Sequence, residues 1–288
     1  MNHKVILVVL DGLNYQVAHQ CMGYLQGLIE QQRASLFKLN CELPSLSRPL
    51  YECLLTGVRP VDSGIIHNQV VRRSYHESIF SLATQQGKVT AASAYHWMSE
   101  LYNRAPFDAV RDRNTHDESL NIQHGRFYHW DHYPDEAVFL DADYLLTTYQ
   151  PDFLLIHPMN IDDAGHQSGL DSSHYRNTAR HADVLLSNFI PSWLKAGYQI
   201  MITSDHGMNN DLSHGGVLAE EREVPLFLLG SAFQQQADNP KNDTIFIQQT
   251  ELCGTVCQVL GLQHNKPYCA GLLNTANQNP LTSSMAEQ

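Results

Sequence analysis

Apolar residues in this chain gather in short unbroken runs separated by longer stretches of helical spacing. Val5-Ile6-Leu7-Val8-Val9-Leu10 is continuous, as expected of a parallel strand covered on both faces. The pattern recurs at Phe153 to Ile156 after Pro151 and at Gln199 to Thr203 after Gly197. Pro225 to Leu229 and Lys88 to Ala92 give two further candidate strands. After the first run, Tyr15, Ala18, Met22, Leu25 and Ile29 recur at helical spacing, and more helices are expected around residues 78–85, 135–149, 175–194 and 250–260. Strands alternating with helices predict an α/β fold, a doubly wound and mostly parallel sheet with helices on both faces.

One stretch breaks the rhythm. Residues 95–134 are crowded with aromatic, His and Arg side chains and carry no clear apolar period, which predicts a small inserted cap. The core is then expected from residues 1–94 and 135–273. From Asn274 to residue 288 the chain is rich in Asn, Gln, Ser and Thr, and a disordered tail is expected.

A chain of 288 residues with 43% hydrophobic residues can bury a substantial core. Its formal net charge of -12 argues against stable nucleic-acid binding, which draws on many Lys and Arg contacts to phosphates. Bound divalent cations would reverse that charge locally, so a phosphate substrate is compatible with it. The six cysteines form no CxxC pair and read as free buried thiols. The Val5–Leu10 run is too short for a signal peptide, and no later segment has the 18 or so apolar residues of a membrane span. A cytoplasmic protein without a membrane partner is the expectation.

In an open α/β sheet, ligands collect beyond the carboxyl ends of the strands. Asp11-Gly12 ends the first run, Asp162 lies shortly after the Phe153 run, and Asp205-His206-Gly207 follows the Ile200 run. A single strand-end Asp is commonplace as a helix cap. The combination is harder to dismiss: Asp162 and His166 share Asp-Asp-Ala-Gly-His, and His214 follows in Ser-His-Gly-Gly. Carboxylate oxygen with imidazole nitrogen suits zinc, manganese or a similar ion, and a set free of cysteine points to catalysis over a closed structural site. The donors suffice for two metals. Ser47, in Pro-Ser-Leu-Ser-Arg-Pro, stands at the start of a helix with Pro49 in its first turn, where an anion is favoured by the free N–H groups.

These motifs, in this order, resemble the alkaline phosphatase superfamily, in particular its nucleotide pyrophosphatase/phosphodiesterase branch and the related phosphonoacetate hydrolases. The resemblance rests on Val-Leu-Asp-Gly at Asp11, the Ser47 helix ending in Leu-Leu-Thr-Gly, Ile-Asp-Asp-Ala-Gly-His, and Thr-Ser-Asp-His-Gly-Met. It implies that Asp11, Ser47, Asp205 and His206 hold one divalent ion, and Asp162, His166 and His214 the other. Zinc is expected, with manganese as the alternative. It also implies Ser47 as nucleophile of a covalent intermediate in the hydrolysis of a small phosphate ester or phosphonate.

Three positions depart from the family pattern. The nucleophile is Ser47 where Thr is usual, and Leu50 stands where an Asn donor is expected three residues on; Ser63-Gly64 replaces His-Gly, although Asn68 remains. Asn68, Tyr95, Trp97, Arg111 and Arg126 are the expected substrate contacts, with Arg104 and Arg113 as further cations and Phe127, Tyr128 and Trp130 as further packing surface. Phosphodiesterase or pyrophosphatase chemistry is the leading expectation. A phosphonate hydrolase or phosphomonoesterase is the alternative, and a non-catalytic metal-binding protein the more distant one. A sulfatase is disfavoured, because Tyr51 occupies the position where those enzymes carry Arg.

Overall fold

A computed structural model describes residues 3–234 and 246–274. Its centre is a nine-stranded sheet in the order β4-β5-β3-β6-β1-β7-β8-β2-β9, whose strands are β1 (Lys4–Val9), β2 (Ala34–Asn40), β3 (Thr90–Tyr95), β4 (Asn114–His116), β5 (His124–Tyr128), β6 (Phe153–Ile156), β7 (Tyr198–Thr203), β8 (Glu223–Leu229) and β9 (Ile247–Gln248). The middle five, β5-β3-β6-β1-β7, are all parallel, so their carboxyl ends form one edge.

Strand β1 explains why both faces are covered. Val5, Leu7 and Val9 enter one apolar cluster, while Ile6 and Val8 enter another on the opposite face. Successive side chains of a strand point to opposite faces, so an unbroken apolar run requires two covering layers. One layer holds α3 (Ser47–Thr56), α5 (Ile79–Gln85), α6 (Trp97–Tyr102) and α12 (Glu251–Leu260). The other holds α1 (Tyr15–Cys21), α2 (Gly23–Glu30), α8 (Asp135–Tyr149) and α10 (Ser173–Lys195).

Three local expectations change. The helix read through Tyr15 to Ile29 is two helices, broken at Met22, whose ψ of 74° leaves the helical region just before Gly23. Strand β2 carried no strong signal, because Lys38 and Asn40 interrupt its apolar face; it is recruited by antiparallel pairing with β8. Residues 95–134, expected as an inserted cap, instead extend the sheet. β5 pairs in parallel with β3, and β4 with β5 in antiparallel fashion. The Phe127 ring folds over Gly125, where an added Cβ would meet it at 2.2 Å, so this aromatic side chain packs along β5. The expected tail lies, after Asn274, outside the described residues.

Leu155 sits on β6 between its neighbours β3 and β1 and is fully buried. Leu155→Ala is expected to destabilise the fold by about 2–5 kcal/mol, read as a lower urea midpoint at unchanged slope.

Candidate active site

Every charged group expected at the carboxyl edge of the parallel strands arrives there. Asp11 follows β1 and Asp205-His206 follow β7, while Asp162 and His166 lie one turn apart on α9 (Asn160–Ser168). The approach of the first loop to α9 depends on Gly12: its φ is +73°, and an added Cβ would lie 2.8 Å from the Asp162 Cα. Only glycine accepts both the left-handed backbone and the contact.

Ser47 opens α3. The preceding residue, Leu46, offers no side-chain cap, and that role passes to Asn68, whose Oδ1 accepts the Arg48 N–H at 3.0 Å. The Ser47 hydroxyl is thereby free to face the cluster, with its Oγ 3.1 Å from His206 Nε2.

The three histidines share one arrangement. Nδ1 of His166 lies 2.9 Å from the Leu212 carbonyl, Nδ1 of His206 2.9 Å from that of Gly207, and Nδ1 of His214 2.7 Å from that of Ser45. A carbonyl can only accept, so each Nδ1 carries a proton, and in the neutral form of each ring Nε2 presents a lone pair. Those lone pairs point at carboxylates. His206 Nε2 is 3.1 Å from Asp205 Oδ2 and 3.5 Å from Asp11 Oδ1; His214 Nε2 is 3.7 Å from Asp162 Oδ1. Asp11 Oδ1, Asp162 Oδ1 and Asp205 Oδ2 are all buried without a hydrogen-bond donor.

Lone pairs facing unpartnered carboxylate oxygens in a buried site would be satisfied by positive charge between them. The donor atoms of Asp11, Asp205 and His206 lie within 4.8 Å of one another, as do those of Asp162, His206 and His214. Tethered histidines with free Nε2 atoms and orphaned carboxylate oxygens fit divalent cations.

The titration of the groups carries the same message. Burial and then the Asp11 charge push Asp162 upward, and burial with the Asp11 and Asp162 charges pushes Asp205 much further. Asp11 goes the other way: burial opposes its ionisation, but the hydrogen bond from His157, the nearby His206 and His157 rings and the Tyr51 hydroxyl outweigh it. His214 is pushed down to about 4 by burial and the neighbouring His206. His166, the most exposed of the set, is raised to about 9, first by its hydrogen bond to Asp162 at 3.4 Å. A proton on its Nε2 also reaches His214 Nε2 at 3.2 Å.

A family model described as Type I phosphodiesterase / nucleotide pyrophosphatase matches residues 5–215. The chain belongs to this family. Human GPI ethanolamine phosphate transferase 2, catalytic subunit, is 24% identical over 283 residues, covering 94% of this chain and 27% of that protein. The Aspergillus fumigatus GPI ethanolamine phosphate transferase 2 is 21% identical over 285 residues, covering 90% and 35%. The chain thus spans only about a quarter to a third of these relatives. Among solved structures, human ectonucleotide pyrophosphatase / phosphodiesterase 5 superposes with a TM-score of 0.71 at 15% identity, covering 94% of this chain and all of that one. A 2-O GAG sulfatase gives 0.61 at 17% identity, covering 92% and 72%. The fold is the alkaline phosphatase-like one.

Leu50, which stands where the family's Asn donor is expected, is fully buried in the apolar cluster under α3, whereas the amide beside Ser47 belongs to Asn68. Two further groups were not read from the sequence. His157 is the first residue after β6 and binds Asp11 Oδ2 through Nε2 at 3.0 Å; Tyr51, one helical turn beyond Ser47, donates its hydroxyl to the same oxygen. Position immediately after an apolar strand was the available signal for His157.

The expected substrate contacts divide. Trp97 lies close to the cluster, 6.2 Å from the Tyr51 ring between centroids, with the Arg48 guanidinium 4.4 Å over its face. Tyr95 donates to Asp131 at 2.7 Å, and Tyr128 donates to the His157 carbonyl at 2.7 Å. Phe127 is buried and Trp130 exposed. Arg111 pairs with Asp112, Arg104 with Asp117 and Asp112, and Arg126 with Asn114 and the Tyr144 ring. The Arg113 carbonyl accepts from Phe127 N. None of these arginine partners belongs to the Ser47 cluster; Arg104 and Arg111 instead line an open cavity of ≈ 660 Å³ with Arg73 and Phe107.

Arg48, next to Ser47 in the chain, and Glu100 are both buried and meet at 2.7 Å. Glu100→Ala leaves a guanidinium buried without its counter-ion and is expected to cost about 3–5 kcal/mol in chemical denaturation. His166 gives a pH signature. Its folded value of about 9 exceeds its ordinary 6.5, so its stabilisation is complete below pH 6.5 and lost as pH rises through 9. In chelator, stability is expected to fall across that window, and His166→Asn to flatten the slope.

Proposed function

We propose that this chain is a two-metal phosphohydrolase of phosphodiesterase type, with Ser47 as nucleophile. The observation that carries the reading is the set of three orphaned carboxylate oxygens facing histidine Nε2 lone pairs, with the Ser47 hydroxyl 3.1 Å from one of them. Asp11, Asp205, His206 and Ser47 would hold one ion and Asp162, His166 and His214 the other, with zinc or manganese suited to the donors. Bound there, the pair would supply Lewis-acid charge that lowers the pKa of the serine hydroxyl and offsets charge on the leaving oxygen.

Ser47 Oγ attacks phosphorus in line. Its O–P bond forms as the bond to the leaving oxygen breaks; the hydroxyl proton passes to water, and the leaving oxygen takes a proton from water in turn. Asn68 spends its Oδ1 on Arg48 N, which leaves its amide N–H groups to donate to a phosphoryl oxygen. The N-terminus of α3 adds its partial positive charge. Trp97 supplies an apolar wall for an organic substituent, and Tyr95 stiffens that wall. The covalent ester is then cleaved by water, restoring Ser47.

A second reading shares every step but the last. The relatives named ethanolamine phosphate transferases favour release of the same serine ester to an alcohol. An added alcohol acceptor would then divert product from free phosphate monoester to a new diester.

Ser47→Ala should lower turnover of a nitrophenyl diester by about 10³-fold or more even at saturating metal, where the remaining ligands still hold both ions. Chelation should abolish wild-type turnover, and zinc or manganese should restore it. Comparing a nitrophenyl monoester, a nitrophenyl diester and phosphonoacetate assigns the substrate class; no turnover of any of them by metal-loaded wild type would sink the proposal.

A further inference from the structure

The two oxygens of Asp11 live in different surroundings. Oδ2 receives the Tyr51 hydroxyl and the His157 Nε2–H, the latter at 3.0 Å. Oδ1 receives no donor and faces His206 Nε2 at 3.5 Å. The proton on His157 Nε2 is set by the other side of its ring, where Nδ1 accepts the Tyr95 N–H at 3.5 Å. The two donors are themselves locked by packing: the rings of Tyr51 and His157 meet edge to face at 4.7 Å, and both residues are fully buried.

We infer that Tyr51 and His157 are positioning residues that divide the labour of the Asp11 carboxylate, fixing Oδ2 so that Oδ1 alone is offered to a cation. Two donors on one oxygen set the carboxylate torsion and remove that oxygen from coordination. Asp11 is thereby a one-oxygen ligand, which keeps a coordination position open for the attacked group instead of closing the shell. Outer partners of this kind commonly govern metal affinity by 10–100-fold. The inference rests on the two-cation reading above, but its test reads metal binding and needs no substrate.

The probe is zinc alone, added to the full chain, with stoichiometry from elemental analysis and affinity from chelator competition. Wild type is expected to hold two ions. Tyr51→Phe and His157→Ala should each weaken one ion by roughly 10–100-fold and leave the other unchanged. His157→Gln, whose amide can donate to the same oxygen, should stay within about 3-fold of wild type. Thermal melts in chelator establish that each variant is folded; if His157→Ala is not, Tyr51→Phe decides, because it removes a single oxygen. Wild-type affinity for both ions in folded Tyr51→Phe overturns the inference, as does a folded His157→Gln as defective as His157→Ala. A wild type that binds no zinc removes the two-cation reading itself.

Discussion

Three carboxylates confined together out of water are the constraint on which this molecule is arranged. Asp11, Asp162 and Asp205 come from three separate places along the chain, and each retains one buried oxygen with no donor. Such a cluster repels itself, and no Lys or Arg side chain pairs with it among the described residues. The histidines offset it only in part, since burial disfavours the charged form of His206 and His214 and leaves His166 alone raised. Cations are the physical remedy, and the backbone carbonyls that take the Nδ1 protons keep the lone pairs aimed where the cations would stand.

The surroundings keep that cluster from relaxing. The parallel strands deliver Asp11, His157 and Asp205 from neighbouring positions in the sheet, while Gly12 lets the first loop close onto α9. Next to Ser47, Arg48 is clamped between Glu100 and the Trp97 face, which anchors the first turn of α3 in the protein interior. A buried ion pair is a poor way to gain stability, but it resists displacement. The outcome is a hydroxyl held against the cluster by elements that are each fixed elsewhere.

Exposure across the cluster is uneven. Asp11, Asp205 and His206 are inaccessible, whereas the His166 side chain, on α9, is 44% exposed. His166 is also the ring whose protonated form is favoured, first by its hydrogen bond to Asp162. The acidic balance of the chain as a whole is no obstacle to an anionic substrate, because the local field at the site is decided by what it binds.

The amino-acid sequence alone determined the α/β class, the strands β1, β6 and β7, and the polar residues that follow them. Local rules suffice there: an unbroken apolar run demands burial on both faces, and the residue after it must lie at the sheet's edge. Pairing decided what such rules cannot reach. Strand β2 exists because β8 lies beside it, and residues 95–134 join the sheet because β5 finds β3, not because of any periodicity of their own. The same holds at the site. Helix phase turns Leu50 into the core and a loop brings Asn68 to Arg48, and His157 and Tyr51 meet only by converging on a single oxygen of Asp11. Directions of side chains across long separations are products of packing, and a sequence read along its own length does not contain them.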